Sequence, residues 1–301
     1  MVDGNEHFLS LHFDAVLRFY GGTSGRGSPI HSLGVRRSMS MRDTITGFTE
    51  SEHRAFERFL TARTVPLCYQ SGGRAFVQGT GTFYRSEDDL FLVTAAHVLQ
   101  GIDAALLGIP DRPFGNVNVW NLNDVTIHHP KNIEDFDVAI VELHNPNFKA
   151  RVASSWQCVA ESEVSSPIDE GSDFLIAGYP TETVEDRSGT LTPAPMLQLF
   201  TTKFEGMGDS PIPEYDLLLK YNRTAKGIFG GERKTPALQG VSGAIVYVAA
   251  PTRSAVWSPE SVFRPVGIQV AMKHDEYVRV KRWSLVNRLV QVLREQRAKS
   301  C

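Results

Sequence analysis

Cysteine is scarce in this 301-residue chain: Cys68, Cys158 and Cys301 are the whole complement. They lie far apart, form no C-x-x-C pair and leave one over in any pairing scheme, so neither a disulfide framework nor a cysteine-built zinc site is expected and a reducing compartment fits better than an oxidising one. An excess of charge of one sign is missing as well. Lys and Arg number 31 against 34 Asp and Glu, a formal net charge of -3, so no strong field favours a nucleic-acid partner. Long apolar runs are lacking too. Stretches such as Leu90 to Val93 and Phe174 to Ala177 are far shorter than the roughly 20 residues that span a bilayer, and no membrane association is expected. The opening MVDGNEHFLSLHFDAVLRFY carries Asp3, Glu6 and Asp14 where a secretory leader needs a basic start and an apolar stretch. The expectation is a cytoplasmic protein, and 42% hydrophobic with 22% charged residues is the composition of an ordinary globular one.

Four segments can be told apart. Residues 1–48 read as a flexible arm, because GGTSGRGSPIHSLGVRRSMSMR (21–42) has Gly, Ser and Arg with no acidic residue and little apolar periodicity; an organelle-targeting peptide is the lesser alternative. Residues 49–66 hold a short helix: Thr49-Glu50-Ser51-Glu52 has capping-box spacing, and Ala55, Phe56, Phe59 and Leu60 recur on one helical face before Pro66. From residue 67 the texture changes to short apolar or alternating runs broken by Gly, Pro, Asn and Asp, which predicts many antiparallel strands. Expected strands are Arg74 to Val77, Gly81 to Tyr84, Phe91 to Thr94, Val117 to Trp120, Val138 to Leu143, Phe174 to Gly178, Leu197 to Thr202, Leu217 to Tyr221, Ala244 to Val248 and Val266 to Ala271, with no helix of ordinary length between them. The polar stretch 161–172 is the natural linker, dividing a first β unit (67–165) from a second (166–301). The second ends in a helix, since Trp283, Val286, Leu289, Val290 and Leu293 keep helical spacing and Arg294, Arg297 and Lys299 suit its C-terminal end.

Three short motifs carry chemistry. In FLVTAAHVL an apolar run ends at His97 among small residues; in DFDVAIVEL Asp137 leads an alternating strand; in LQGVSGAIVY Ser242 stands between Gly240 and Gly243 just before a strand. A serine hydroxyl is a weak nucleophile until an adjacent imidazole takes its proton, and a buried carboxylate must hold that imidazole in one tautomer. Glycines beside the serine let the backbone turn and aim N–H groups, here those of Gly240 and Ser242, at a developing oxyanion. Singly, each motif has a blander explanation: a structural histidine, a turn aspartate, a loop serine. Their joint occurrence in the order His, Asp, Ser within a strand-rich chain points to a triad. Asp135 is the alternative acid, facing the same way on a strand, but only Asp137 directly precedes the apolar-Ala pair. His128, His129 and His144 read as loop or surface residues with no metal role, and Asn222-Arg223-Thr224 as a chance glycosylation match.

With T-A-A-H, D-(apolar)-A and G-x-S-G in this order, the chain resembles the trypsin/chymotrypsin-like serine proteases over about residues 67–297. His129-Pro130, FLIAGYP (174–180), Val266-Gly267-Ile268 and the terminal helix after Tyr277-Val278-Arg279-Val280 agree with that resemblance. It implies an all-β fold of two antiparallel β-barrels, chymotrypsin-like, with an N-terminal and a C-terminal helix, His97 and Asp137 coming from the first barrel and Ser242 from the second. It also implies that residues 236–241, Leu238 and Gln239 among them, and Val270, Ala271 and Met272 wall the substrate pocket. The implied function is a serine endopeptidase making restricted cuts in an intracellular protein, with a protein or peptide substrate and no cofactor; no regulatory partner is indicated. The alternatives are a catalytically silent protease-like binding or scaffold module and an esterase of another fold, whose usual motif order differs. Two departures stand out. Val98 occupies the place of the cysteine that follows the histidine in secreted members, implying an intracellular, bacterial-type one. Val241 occupies the place of the acid that zymogen-forming members pair with a new N-terminus, so activation by that ion pair is not expected. The pocket wall preceding the serine has no acid, predicting an apolar or small residue before the cut. A basic residue is the alternative if Asp275 or Glu276 reaches the pocket base.

Overall fold

The computed structural model describes the chain from Thr49 onward, apart from residues 72–73, 115–116, 123, 165–167, 169–171, 182–184, 188–189, 193–195, 223, 227–231, 236, 250–256, 274–275 and 301. The expected arm, much of the expected linker, Arg223, Asp275 and Cys301 therefore lie outside the described residues. Helix α1 (Glu50–Arg63) starts as its sequence predicts. Thr49 Oγ1 accepts from Glu52 N at 3.3 Å while a Glu52 carboxylate oxygen accepts from Thr49 N at 2.6 Å, so two otherwise orphaned N–H groups are satisfied reciprocally.

The first sheet holds β1 (Val65–Ser71), β2 (Arg74–Ser86), β3 (Asp89–Thr94), β4 (Leu107–Pro110), β5 (Val119–Asn121), β6 (Val125–His128) and β7 (Ala139–Leu143) in the order β5-β4-β1-β2-β3-β7-β6, with β8 (Val159–Ala160) alongside β2 in parallel. Its end strands β5 and β6 are joined through residues 122–124 alone, so the sheet must curl until those edges approach. The second sheet comprises β9 (Asp173–Gly178), β12 (Leu197–Thr202), β13 (Asp216–Lys220), β16 (Ile245–Ala249), β17 (Phe263–Lys273) and β18 (Tyr277–Arg282), ordered β12-β9-β16-β17-β18-β13, and a bridge from Lys203 to Leu219 joins its two ends. Two small hairpins, β10 (Glu185–Arg187) with β11 (Thr190–Thr192) and β14 (Thr224–Lys226) with β15 (Glu232–Lys234), leave it. Two curled antiparallel half-barrels with a helix at each end of the described chain match the expected fold class. Two expectations fail: the strands expected at Arg74 to Val77 and Gly81 to Tyr84 are one continuous strand, β2, and a helix of ordinary length, α2 (Pro146–Ser155), does interrupt the strands. Asn145 Oδ1 accepts from the N–H groups of Asn147 and Phe148, and Pro146 opens the first turn, while Phe148 and Val152 are its only buried residues. So thin an apolar stripe leaves almost no periodic signal.

The helices strap the half-barrels together. The α1 side chains Phe56, Phe59 and Leu60 are buried; Phe56 packs tilted against Phe263 at 4.8 Å and Phe59 meets Tyr247 at 5.6 Å, both on the second sheet, while the Arg63 carbonyl accepts from Thr82 Oγ1 of the first at 2.7 Å. After a one-turn helix α3 (Pro259–Val262) comes the long α4 (Trp283–Ser300), which continues β18 yet packs Trp283 edge-on against Tyr84 at 5.4 Å. There Tyr84 donates its hydroxyl to Asn287 at 2.7 Å, and Arg294 donates to the Ser86 carbonyl at 2.5 Å. Burying each of these large side chains contributes about 1.5–3 kcal/mol.

Candidate active site

His97 lies in a single 3-10 turn, Ala96–Leu99, that follows β3 directly. Ala95, Ala96 and Val98 are buried, which roots the turn, while the imidazole is 40% exposed. Asp137 stands just before β7 and holds His97 with both carboxylate oxygens: Oδ1 accepts from His97 N at 2.9 Å and Oδ2 lies 2.6 Å from Nδ1. With Nδ1 facing a carboxylate, the favoured neutral tautomer carries its proton there and leaves the Nε2 lone pair free to act as a base. Asp135 makes no such contact. Its carboxylate accepts from Asn132 Nδ2 in the preceding turn, so Asp137 is the carboxylate bonded to His97.

Ser242 sits in the turn 239–243 ahead of β16, and two left-handed glycines, Gly240 (φ +86°) and Gly243 (φ +89°), shape that turn. A Cβ on Gly243 would lie 1.9 Å from the Thr80 carbonyl oxygen and 2.3 Å from Thr94 Oγ1, so glycine is required there for space as well as for backbone angle. Through this close approach the serine turn of the second half-barrel meets β2 and the end of β3, three residues before His97. Thr80 N donates to the Ser242 carbonyl at 2.9 Å, and Gly243 N donates to the Gln269 carbonyl at 2.7 Å. The structure brings His97 and Asp137 into contact and seats Ser242 against the strand end that carries His97, but among the described residues no hydrogen bond joins Ser242 Oγ to His97.

The backbone around Ser242 leaves two donors open. The N–H groups of Gly240 and Ser242 have no acceptor among the described residues, whereas Val241 N donates to the Leu238 carbonyl at 3.0 Å. Thr181 N donates to the Gln239 carbonyl at 2.8 Å. In a trans peptide the N–H points opposite to the C=O, so this bond turns Gly240 N–H away from Thr181. Thr80 Oγ1, itself buried, donates to the Gly240 carbonyl at 2.9 Å and accepts from Tyr179 N at 3.0 Å. Thr80, Thr181 and Gln269 thus hold the turn without being visible in the sequence, where they are two threonines outside the expected strands and an ordinary strand glutamine.

Of the residues expected to wall a pocket, Gln239 and Ala271 are exposed, Leu238 and Val270 are buried, and Met272 is half-buried against the core of the second sheet. Pro236, expected to open that wall, lies outside the described residues. Glu276 is exposed in the turn between β17 and β18 and pairs with Lys273 at 3.2 Å, which favours a solvated acid over a place in the pocket base. Val98 packs where Gly79 leaves space, a Cβ there lying 2.5 Å from its methyl. Val241 is fully buried. His128 and His144 both face Glu142, at 3.0 and 3.3 Å. Among the described residues no group of three or more His, Cys, Asp or Glu could hold a metal, and no helix is long and apolar enough to cross a membrane. Burial pushes the Cys68 thiol up to about 12, so it is inert at neutral pH.

No protein-family model and no curated protein matches the chain. Solved structures do. It is similar to a protein studied in work on aromatic interactions that drive coupled folding and binding of the intrinsically disordered Sesbania mosaic virus VPg protein, over 75% of this chain and 87% of that one, at 14% identity and a TM-score of 0.43. It is also similar to a thermostable serine protease, AL20, from an extremophilic microorganism, over 76% of this chain and 95% of that one, at 12% identity and a TM-score of 0.44.

Proposed function

We propose that this chain is a serine endopeptidase that cuts a restricted set of sites in an intracellular protein, with Ser242 as nucleophile, His97 as general base and then acid, and Asp137 orienting the imidazole. The observation that carries this reading is the two-oxygen grip of Asp137 on His97, beside a glycine-flanked serine with two open N–H donors. In the first half-reaction Ser242 Oγ attacks the peptide carbonyl carbon as His97 Nε2 takes the hydroxyl proton. The oxyanion is received by Gly240 N–H and Ser242 N–H, and His97 passes the proton to the departing amine. In the second, His97 takes a proton from water, which attacks the acyl ester, and returns it to Ser242 as the acid product leaves. No cofactor enters these steps. An apolar or small residue before the cut fits a pocket wall without acid and a Glu276 paired in a turn.

The absent Ser242–His97 hydrogen bond favours a second reading, a catalytically silent protease-like scaffold, although such bonds often tighten only when substrate is bound. A fluorophosphonate probe separates the two. Labelling of the full chain that disappears in Ser242→Ala supports the endopeptidase; a wild type that takes up no label, together with an unchanged peptide library by mass spectrometry, supports the scaffold. In a labelled, active enzyme, a strong preference for Arg or Lys before the cut that is abolished by Glu276→Ala would overturn the specificity.

A further inference from the structure

The second half-barrel contains an ion pair that none of the chemistry above uses. Lys281 on β18 and Asp216 on β13 are direct cross-strand partners, their side chains are each 1% exposed, and Nζ lies 2.5 Å from Asp216 Oδ1. Asp216 Oδ2 accepts from Ile212 N at 2.8 Å. The same ammonium donates to the backbone carbonyl of Asp135, which belongs to the other half-barrel and precedes Asp137 by two residues. We propose that Lys281 is a positioning residue for Asp137, holding the acid-bearing turn in place from across the interface through the Asp135 carbonyl oxygen. This inference rests on the endopeptidase reading for its catalytic consequence, though not for its geometry.

The physical argument starts from cost. Burying two charges costs several kcal/mol per ion before their attraction repays it, and an apolar pair of similar volume is commonly as stable or more so. Stability alone therefore does not call for this pair, whereas an ammonium supplies directed bonds that an apolar side chain cannot. The turn it grips is hydrogen-bonded within itself. Phe136 N donates to the Asn132 carbonyl at 3.1 Å, Asp135 N donates to Asn132 Oδ1 at 3.4 Å, and Val138 N donates to the Phe136 carbonyl at 2.5 Å, so fixing one carbonyl fixes the carboxylate that follows. Phe136, between Asp135 and Asp137, meets Tyr215 edge-on at 5.9 Å, and Tyr215 adjoins Asp216. The turn is thus seated on the second half-barrel by one polar and one aromatic contact, and Asp137 reaches His97 from that seat.

Removing only the lysine would leave Asp216 buried and unpaired, so the deciding variant is Lys281→Met combined with Asp216→Asn, which removes both charges and keeps an acceptor for Ile212 N. Two readouts are taken on protein whose near-ultraviolet circular dichroism is native: steady-state kinetics on a cleaved peptide, and the far-downfield proton resonance of the His97 Nδ1–H···Asp137 bond. The expected result is a fall in kcat of about 10- to 100-fold, as misplacement by about 1 Å produces, with KM within about threefold and the downfield resonance shifted or lost. A folded double variant that keeps both kcat and the resonance overturns the proposal. If the wild type proves inactive, the endopeptidase reading fails separately and the resonance still decides the positioning. If the double variant does not fold, the wild type decides through scalar coupling across the hydrogen bond between Lys281 15N and the Asp135 carbonyl 13C; its presence supports the clasp and its absence overturns it.

Discussion

At the scale of single residues, the site is governed by how little room the serine turn leaves. Gly243 and Gly101 both have positive φ, but a Cβ on Gly243 would strike the Thr80 carbonyl, whereas one on Gly101 (φ +71°) meets nothing within 4 Å. Gly101→Ala should therefore cost only the left-handed backbone penalty, about 1–2 kcal/mol. Gly243→Ala should cost well beyond that, about 3 kcal/mol or more, and remove fluorophosphonate labelling. Urea melts of the two variants compare them directly, and equal losses would show that the close approach is not real. The acid is tested at the same scale. Asp137→Asn should lower kcat/KM by roughly 10⁴, because the amide leaves His97 in the wrong tautomer, and Asp135→Asn should change it by less than about threefold. The reverse order in a peptidase assay would reassign the acid.

Among the elements, α4 buries Trp283, Leu285, Val286 and Val290 in the core and adds charged contacts with the first half-barrel. Arg297 bonds Glu142 on β7 and pairs with Asp89 at 3.1 Å, and Arg294 pairs with Glu87 at 3.0 Å. Burial alone would raise the Glu142 carboxyl, but hydrogen bonds from Arg297 and His128 outweigh it and hold the group below its ordinary value of 4.5. A depressed carboxylate contributes stability that is fully present above pH 4.5 and is lost as pH falls through the lower folded value. Thermal melts from pH 7 to pH 3 should therefore show part of the acid loss vanish in Arg297→Met, whose cost at pH 7 is on the order of 0.5 kcal/mol for a partly exposed pair. An unchanged acid limb would mean that the pair contributes nothing. The apolar face of α4, with Trp283, Leu285, Val286 and Val290 in the core, does not titrate in that range, nor does the Tyr84–Asn287 hydrogen bond, since burial first of all pushes the Tyr84 hydroxyl up to about 12.

For the whole molecule, the two end helices are structural members. A chain beginning at Met41 retains α1 and should match the full-length protein in melting temperature and peptidase rate, because buried Val241 offers no carboxylate for a newly cut N-terminus to pair with. A large gain in rate only after trimming would overturn this. A chain beginning at Val65 loses Phe56, Phe59 and Leu60 from the core. At about 2–5 kcal/mol each, these side chains together rival the roughly 5–15 kcal/mol that keeps a domain folded, so that shorter chain should not fold.

The sequence by itself determined what local rules govern. The capping box placed α1, short apolar or alternating runs placed most strands and helical spacing placed α4, because each signal is complete within a few residues, and the order of three short motifs around His97, Asp137 and Ser242 named the candidate site. The helix α2 escaped because two buried side chains give too weak a period. What joins distant segments belongs to the tertiary structure. Asp135 and Asp137 share one strand face in the sequence pattern, and only the antiparallel pairing of β3 with β7, which sets Thr94 opposite Ala139, brings Asp137 to His97 across 40 residues. Thr80 reaches Gly240 across 160 residues, and Lys281 reaches Asp135 across 146. Those contacts depend on how the two curled sheets meet, which no residue's neighbours in the chain encode.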